Sequence, residues 1–198
     1  IIEIAFEKGF VKAKKPNLRT GKKVAVIGSG PAGLAAAAQL NFAGHTVTVF
    51  ERDEEPGGLL RYGIPDFKLE KWVIDRRISV LKEEGIVFKC HANVGVNIGI
   101  NDLLREFNAI VLAGGSTTPR NLDIPGRSLN GVHFAMDFLK QNNKIVAGKD
   151  PFENAAIESN ILNEWIKATG KNVVVIGGGD TGSDCVGTSN RQGATTVT

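Results

Sequence analysis

Two glycine clusters have the spacing of a phosphate-binding turn. The first is Gly28-Ser29-Gly30-Pro31-Ala32-Gly33, the second Gly177-Gly178-Gly179-Asp180-Thr181-Gly182. In such a turn the first glycine permits a tight bend and the second lets backbone approach a pyrophosphate. The third lets the following helix pack on the preceding strand. The N–H groups and partial positive charge of a helix N-terminus then favour phosphate. Glu51, 23 positions after Gly28, closes the next apolar run and is placed to accept from a ribose hydroxyl pair. For the second cluster the matching acid would fall beyond Thr198, so NADPH and NADH are not separated. Asp180 suits helix capping and ligand contact equally well.

The flanking sequence supplies the elements these turns need. Lys23–Ile27 is a short β-branched run, a buried strand. Leu34 to Phe42 is Ala-rich and reads as a helix stopped by Gly44, and Thr46 to Phe50 is a second strand. Before this βαβ unit, Ile2, Ala5, Phe6 and Phe10 fit a short amphipathic helix ended by Pro16. After it, 56–65 is a glycine-punctuated loop. A helix is expected over 70–84 with Trp72, Ile74, Ile78 and Leu81 on one face. Strands follow at 86–88 and, buried, at 109–113. Between them lie a short extended piece (92–96) and a helix over 100–106 with Asn101 as N-cap. Pro119, Pro125, Gly126 and Gly131 mark a linker, then helices are expected over 132–141 and 159–167. Strand, turn and helix then repeat over 171–176, 177–182 and 183–192, displaced by 149 positions, and a last strand begins at Ala194.

The expected fold is α/β with two Rossmann-like dinucleotide-binding domains, the second incomplete. The expected divisions are a helical lead-in (1–20), a first dinucleotide domain (21–118), and a linker with the start of a second (119–198). Two such domains imply two dinucleotides, one held and one exchanging, as in a flavin–nicotinamide oxidoreductase.

Composition narrows the alternatives. Glycine is the outlier at 24 of 198 residues, against a usual ~7%. Net charge is +3, and the lysines between 12 and 23 are too sparse and lack the interleaved aromatics of a nucleic-acid surface. No apolar stretch reaches the ~18 residues of a membrane span, and a reduced, cytoplasmic setting is expected. The chain opens on Ile1 without Met, so an upstream segment is expected. Two cysteines, Cys90 and Cys185, supply neither a disulfide framework nor a cluster ligand set. Nor do they form the Cys-x-x-Cys that a thioredoxin-reductase layout requires. A helix N-terminus could lower the pKa of Cys185, but it reads as a packed helix residue. His45, His91 and His133 lack metal-ligand spacing. Trp72 and Trp165 read as core or interface residues on helical faces.

Several stretches carry a family resemblance: KKVAVIGSGPAGLAAAAQL, VTVFERDEEPGGLLRYGIPDFKLEKWVIDRR, AIVLAGGSTTPRNLDIPG, VHFAMDFL and VVVIGGGDTGSDCVGTSNRQGA. Together they resemble the small (β) subunits of NADPH-dependent glutamate synthases. More loosely, they are similar to the electron-entry half of dihydropyrimidine dehydrogenase and to NADH-dependent ferredoxin–NADP oxidoreductases. The resemblance implies that Gly28, Gly30, Pro31, Ala32 and Gly33 cradle the FAD pyrophosphate. It puts Glu51 at the adenosine ribose with Arg52 beside it, and Gly58 and Leu59 along the flavin side. Ile64 and Lys68 fall near the isoalloxazine and phosphates, although Lys68 also reads as a solvated helix-start lysine. Val94 would pair its backbone with adenine, and Gly114 and Gly115 would form a chain crossover near FAD. Gly177, Gly179, Asp180 and Thr181 would sit at the nicotinamide nucleotide.

The activity so implied is hydride transfer from NADPH (or NADH) to FAD. Electrons would then pass through [4Fe–4S] clusters, ligated in an absent N-terminal region, to the glutamate-forming large subunit. The rest of the nicotinamide domain and a returning C-terminal segment are also absent, so the chain is expected to be a fragment. The alternatives are a related oxidoreductase delivering electrons to ferredoxin or a pyrimidine, or a non-catalytic FAD-binding module.

Overall fold

The structure, a computed structural model, describes residues 1–151 and 165–198. In chain order the elements are α1 (Ile2–Glu7), β1 (Lys23–Ile27), α2 (Pro31–Phe42), β2 (Thr46–Phe50), α3 (Leu59–Tyr62) and α4 (Lys71–Glu83). Then come β3 (Val87–Lys89), α5 (Ile100–Glu106), β4 (Ala109–Leu112), α6 (Ala135–Val146), β5 (Asn172–Val173), α7 (Asp180–Arg191) and β6 (Thr196–Val197). They form two compact units, 1–58 with 72–115, and 59–71 with 116–198.

The first unit is built on a parallel sheet of order β3-β2-β1-β4. β1 pairs with β2 from Lys23↔Thr46 to Ile27↔Phe50, and with β4 from Val24↔Ala109 to Ile27↔Leu112. This central place explains why Val24, Ala25 and Val26 are buried and uniformly apolar. α2 buries Gly33, Ala37 and Asn41, one stripe at four-residue spacing. α4 buries Ile74, Ile78 and Leu81. Phe50 meets Phe107 edge to face, ring centroids 5.7 Å apart, in a cluster with Ala25, Ala92 and Leu103.

Several local expectations are corrected. α1 ends at Glu7, well before Pro16, and Gly9 turns the chain at φ 66°. Trp72 leaves the buried face of α4 and is 47% exposed, its ring beside the Arg76 guanidinium. The N-cap of α5 is Gly99, and Asn101 lies inside the helix. β4 is an edge strand, not a buried one, and Leu112 is 83% exposed. The loop after Gly58 contains α3, and α6 starts at Ala135 rather than Val132.

In the second unit β5 and β6 pair in parallel, Asn172↔Thr196 and Val173↔Val197. α6 and α7 enclose Phe138, Leu139, Ala168 and Cys185. The paired part of β5 is shorter than the expected 171–176, with Val174 and Ile176 exposed. Most of the helix expected at 159–167 lies outside the described residues, and Trp165 stands in irregular chain.

Candidate functional site

The first glycine turn joins β1 to α2. Gly28 has φ 102°, a conformation side chains disfavour, and its N–H donates to Phe50 O (2.8 Å). A Cβ on Gly33 would strike the Gly28 carbonyl oxygen, so the third glycine lets the helix seat on the turn. Gly30 differs from both. It is the N-cap of α2 with ordinary extended backbone, and a Cβ there would meet nothing within 4 Å. Pro31 at the first helical position has no N–H. Among the described residues, the first helix N–H with a backbone acceptor is that of Leu34, on Gly30 O (2.9 Å). Ala32 and Gly33 therefore present N–H groups at an open helix end, which fits an anion such as a pyrophosphate.

Behind this opening lies a buried polar knot. Ser29 is fully buried, and both its N–H (3.0 Å) and its hydroxyl donate to Glu51 Oε2. Ser29 Oγ in turn accepts from the Gly57 N–H (2.9 Å). Glu51 Oε1 accepts from Asp53 N–H (3.0 Å). These bonds use three of the roughly four acceptor positions of a carboxylate, leaving one on Oε1 for a hydroxyl. The same knot draws Pro56–Gly58 onto the turn: a Cβ on Gly58 would lie 2.8 Å from Gly30 Cα. Glu51 thus organises the turn through Ser29 and Asp53.

Of the other residues expected in the first unit, Gly114 comes close to the turn, its Cα 3.2 Å from a Cβ built on Gly28. Arg52 is exposed beside Glu51. Val94 is half-buried against the Phe50 cluster and bridges to Ile98. Gly114 and Gly115 follow β4, where an added Cβ meets nothing, and Gly115 has φ 69°. Ala113 O and C line the Gly28 turn, so the end of β4 contributes to the cradle.

Leu59, Ile64 and Lys68 belong to the second unit. Leu59 is 54% exposed at the start of α3. Ile64 O accepts from Lys71 Nζ (2.6 Å) and from Asn143 Nδ2 (3.2 Å), and Asn143 Nδ2 also donates to Tyr62 O (3.0 Å). Burial lowers the Lys71 pKa, partly offset by Asp66. Lys68 is no isolated solvated lysine: its Nζ lies 2.5 Å from Asp184 Oδ1.

The second glycine turn reproduces the first. Gly177 has φ 131°, and a Cβ on Gly182 would strike the Gly177 carbonyl oxygen. Gly179 is the N-cap of α7 and faces open space. The first helix N–H with a backbone acceptor is that of Ser183, on Gly179 O (3.0 Å). Asp180 is the first residue of the helix and makes no capping bond, which removes the N-cap reading for it. Thr181 follows, exposed, in the same first turn. Cys185 is buried, and burial with the Asp184 charge pushes its pKa up to about 11, opposite to an activated thiol. No cluster of His, Cys, Asp and Glu suited to a metal ion occurs among the described residues, nor is any helix there long and apolar enough to cross a membrane.

Sequence reasoning missed Ser29 and Asp184, because each acts through a partner distant in the chain. The family model for pyridine nucleotide-disulphide oxidoreductases matches residues 22–198. The chain belongs to this family. It is similar to the glutamate synthase [NADPH] small chain of Mycobacterium tuberculosis, 54% identical over 197 residues, all of this chain and 39% of that protein. The Bacillus subtilis small chain is 50% identical, again over the whole chain and 38% of its own length. The chain thus spans about two-fifths of these relatives. Among solved structures, Mycobacterium tuberculosis FprA in complex with NADPH is similar at 27% identity. Its TM-score is 0.66, covering 82% of this chain and 35% of that one.

Proposed function

We propose that this chain is the electron-entry portion of a glutamate synthase small subunit. The observation that carries the reading is the duplicated turn. Twice, a third glycine seats on the carbonyl of the first while the second glycine faces open space at a helix N-terminus. The small-chain relatives support the glutamate synthase assignment, and NADPH bound to FprA supports the nucleotide.

In this reading 21–118 is the FAD domain and 119–198 begins the nicotinamide domain. FAD fits the first turn, where the Ala32 and Gly33 N–H groups would hold its pyrophosphate and Glu51 Oε1 its ribose. Arg52, Gly58, Val94, Gly114 and Gly115, all of the first unit, would complete its surroundings. The Gly177–Thr181 turn would hold NADPH in the same way. Bound FAD supplies the two-electron acceptor for a hydride from the nicotinamide, chemistry no side chain provides. The protein's own work is to bind, orient and exclude water. Iron–sulfur clusters elsewhere in the small subunit and a glutamate-forming large subunit would take the electrons onward, in the cytoplasm.

The test is the visible absorption of the purified protein, followed by NADPH without oxygen. Flavin bands that bleach support the reading. Bands that persist remove the nicotinamide half, and no bands after FAD addition overturn the first-turn assignment.

A further inference from the structure

Three contacts tie the 64–69 segment to α7. Lys68 Nζ pairs with Asp184 Oδ1 at 2.5 Å. The Phe67 ring fills the space at Gly187, where a Cβ would come within 2.7 Å of its Cζ. The Arg191 guanidinium lies 3.6 Å over that same ring. Positions 184, 187 and 191 form one face of the helix, so the segment lies along a continuous stripe. Its backbone is fixed as well, with Lys68 N–H on Pro65 O (3.0 Å) and Lys71 Nζ on both Ile64 O and Leu69 O (2.6 and 2.9 Å).

Asp184 is the unusual member. It is a carboxylate only 6% exposed, on the helix whose N-terminus faces open space at Gly179. It lies five residues past that N-cap, roughly 7.5 Å along the axis. Helical side chains tilt toward the N-terminus, which brings its charge nearer the first turn. An uncompensated carboxylate there would repel a diphosphate, and partial burial keeps solvent from screening it.

We infer that Lys68 is a positioning and charge-compensating residue for the second dinucleotide site: it neutralises Asp184 and so permits α7 to accept an anionic nucleotide. This rests on the nicotinamide reading of the second turn and reassigns Lys68 from direct cofactor contact. Losing the lysine alone should weaken nucleotide binding. Losing both charges should not, because α7 then carries no buried, uncompensated carboxylate, and Asp180 is the same exposed residue in every variant.

The experiment titrates NADP+ into the intact, flavin-loaded, oxidised protein by calorimetry, with thermal unfolding recorded for each variant. Lys68→Met should weaken NADP+ on the order of tenfold. Lys68→Arg should keep wild-type affinity, Asp184→Asn should bind as well or tighter, and Lys68→Met with Asp184→Asn should recover. Wild-type affinity in Lys68→Met overturns the inference. So does equal loss in the single and double variants, which would mean direct contact of Lys68 with ligand. If Lys68→Met does not fold, Asp184→Asn decides, since a loss of affinity there has the wrong sign. A wild-type protein that binds neither NADP+ nor NAD+ overturns the nicotinamide reading itself, and this inference with it.

Discussion

Glycines of one motif do different work, and alanine separates their roles. Gly33 abuts the Gly28 carbonyl, so Gly33→Ala must push α2 off the turn, an overpacking cost of about 1–3 kcal/mol. Gly30 has φ −64° and open space at its Cβ, so Gly30→Ala should lose only about 1 kcal/mol of fold stability through the weaker N-cap. Its methyl group would occupy the space proposed for the pyrophosphate, and FAD affinity should fall by on the order of 100-fold, about 3 kcal/mol of lost charged hydrogen bonds. Flavin fluorescence titration and urea midpoints read the two effects separately. Equal loss of both would show that Gly30 serves the fold only. Ser29→Ala takes a hydroxyl from a buried carboxylate and an acceptor from Gly57 N–H. It should cost about 1.5–3 kcal/mol in the same urea experiment, with Ser29→Thr the harsher change because the site is fully buried. The glycine pattern was readable from sequence because backbone demands leave a compositional trace. Ser29 was not, because nothing in a serine's type shows that it will turn inward to a carboxylate 22 positions away.

Elements show the same division between local and distant causes. β1 and β2 were readable because β-branched runs stand between turn residues, and their observed bounds match that pattern. Both motif helices begin earlier than expected, at Pro31 and Asp180, because their N-caps are glycines with no side-chain capping signal. β4 has the composition of a central strand, and only sheet order reveals that it is an edge. The contact of Phe67 with Gly187 joins positions 120 apart, beyond any periodicity. α1 is a similar case: it buries no residue fully, and a distant helix holds it. Arg76 grips Glu3 with two bonds (2.7 and 2.9 Å) and covers Phe6 at 3.7 Å. The Arg76 hydrogen bond lowers the Glu3 pKa below its ordinary 4.5. A depressed carboxylate supports docking fully above its ordinary value and loses that support as pH falls through the lowered one. Protection of residues 1–10 against hydrogen exchange, taken relative to the intrinsic rate at each pH, should therefore be present at pH 7 and be lost at acid pH before the sheet loses its own. Arg76→Ala should remove that protection at pH 7, and unchanged exchange in that variant would show that α1 is held otherwise.

For the molecule as a whole, the two cysteines provide one probe in each compact unit. Cys90 follows β3 in the first unit and is half-buried, while Cys185 lies in the α6–α7 core of the second. The first unit has a four-stranded sheet with helices packed on it, and the described second unit has a two-stranded one. Buried apolar area sets most of the stability of each, so the second should open at lower denaturant. Cys185 should resist iodoacetamide in water, for two reasons: no access through the core, and a thiol pKa raised by burial to about 11 from an ordinary 9.0. The raised value also fixes the sign of a pH effect. The neutral thiol's contribution is fully present below pH 9 and is lost as pH climbs toward 11, so alkaline solution should open the second unit first. Mass spectrometry of alkylated protein along a urea series should show Cys185 modified before circular dichroism reports loss of the parallel sheet. NADP+ should move that Cys185 transition to higher urea without moving the sheet transition, because a ligand stabilises only the state that binds it. A single coincident transition for both would instead make the chain one cooperative unit, with the nucleotide site and the first-turn cradle stabilised together.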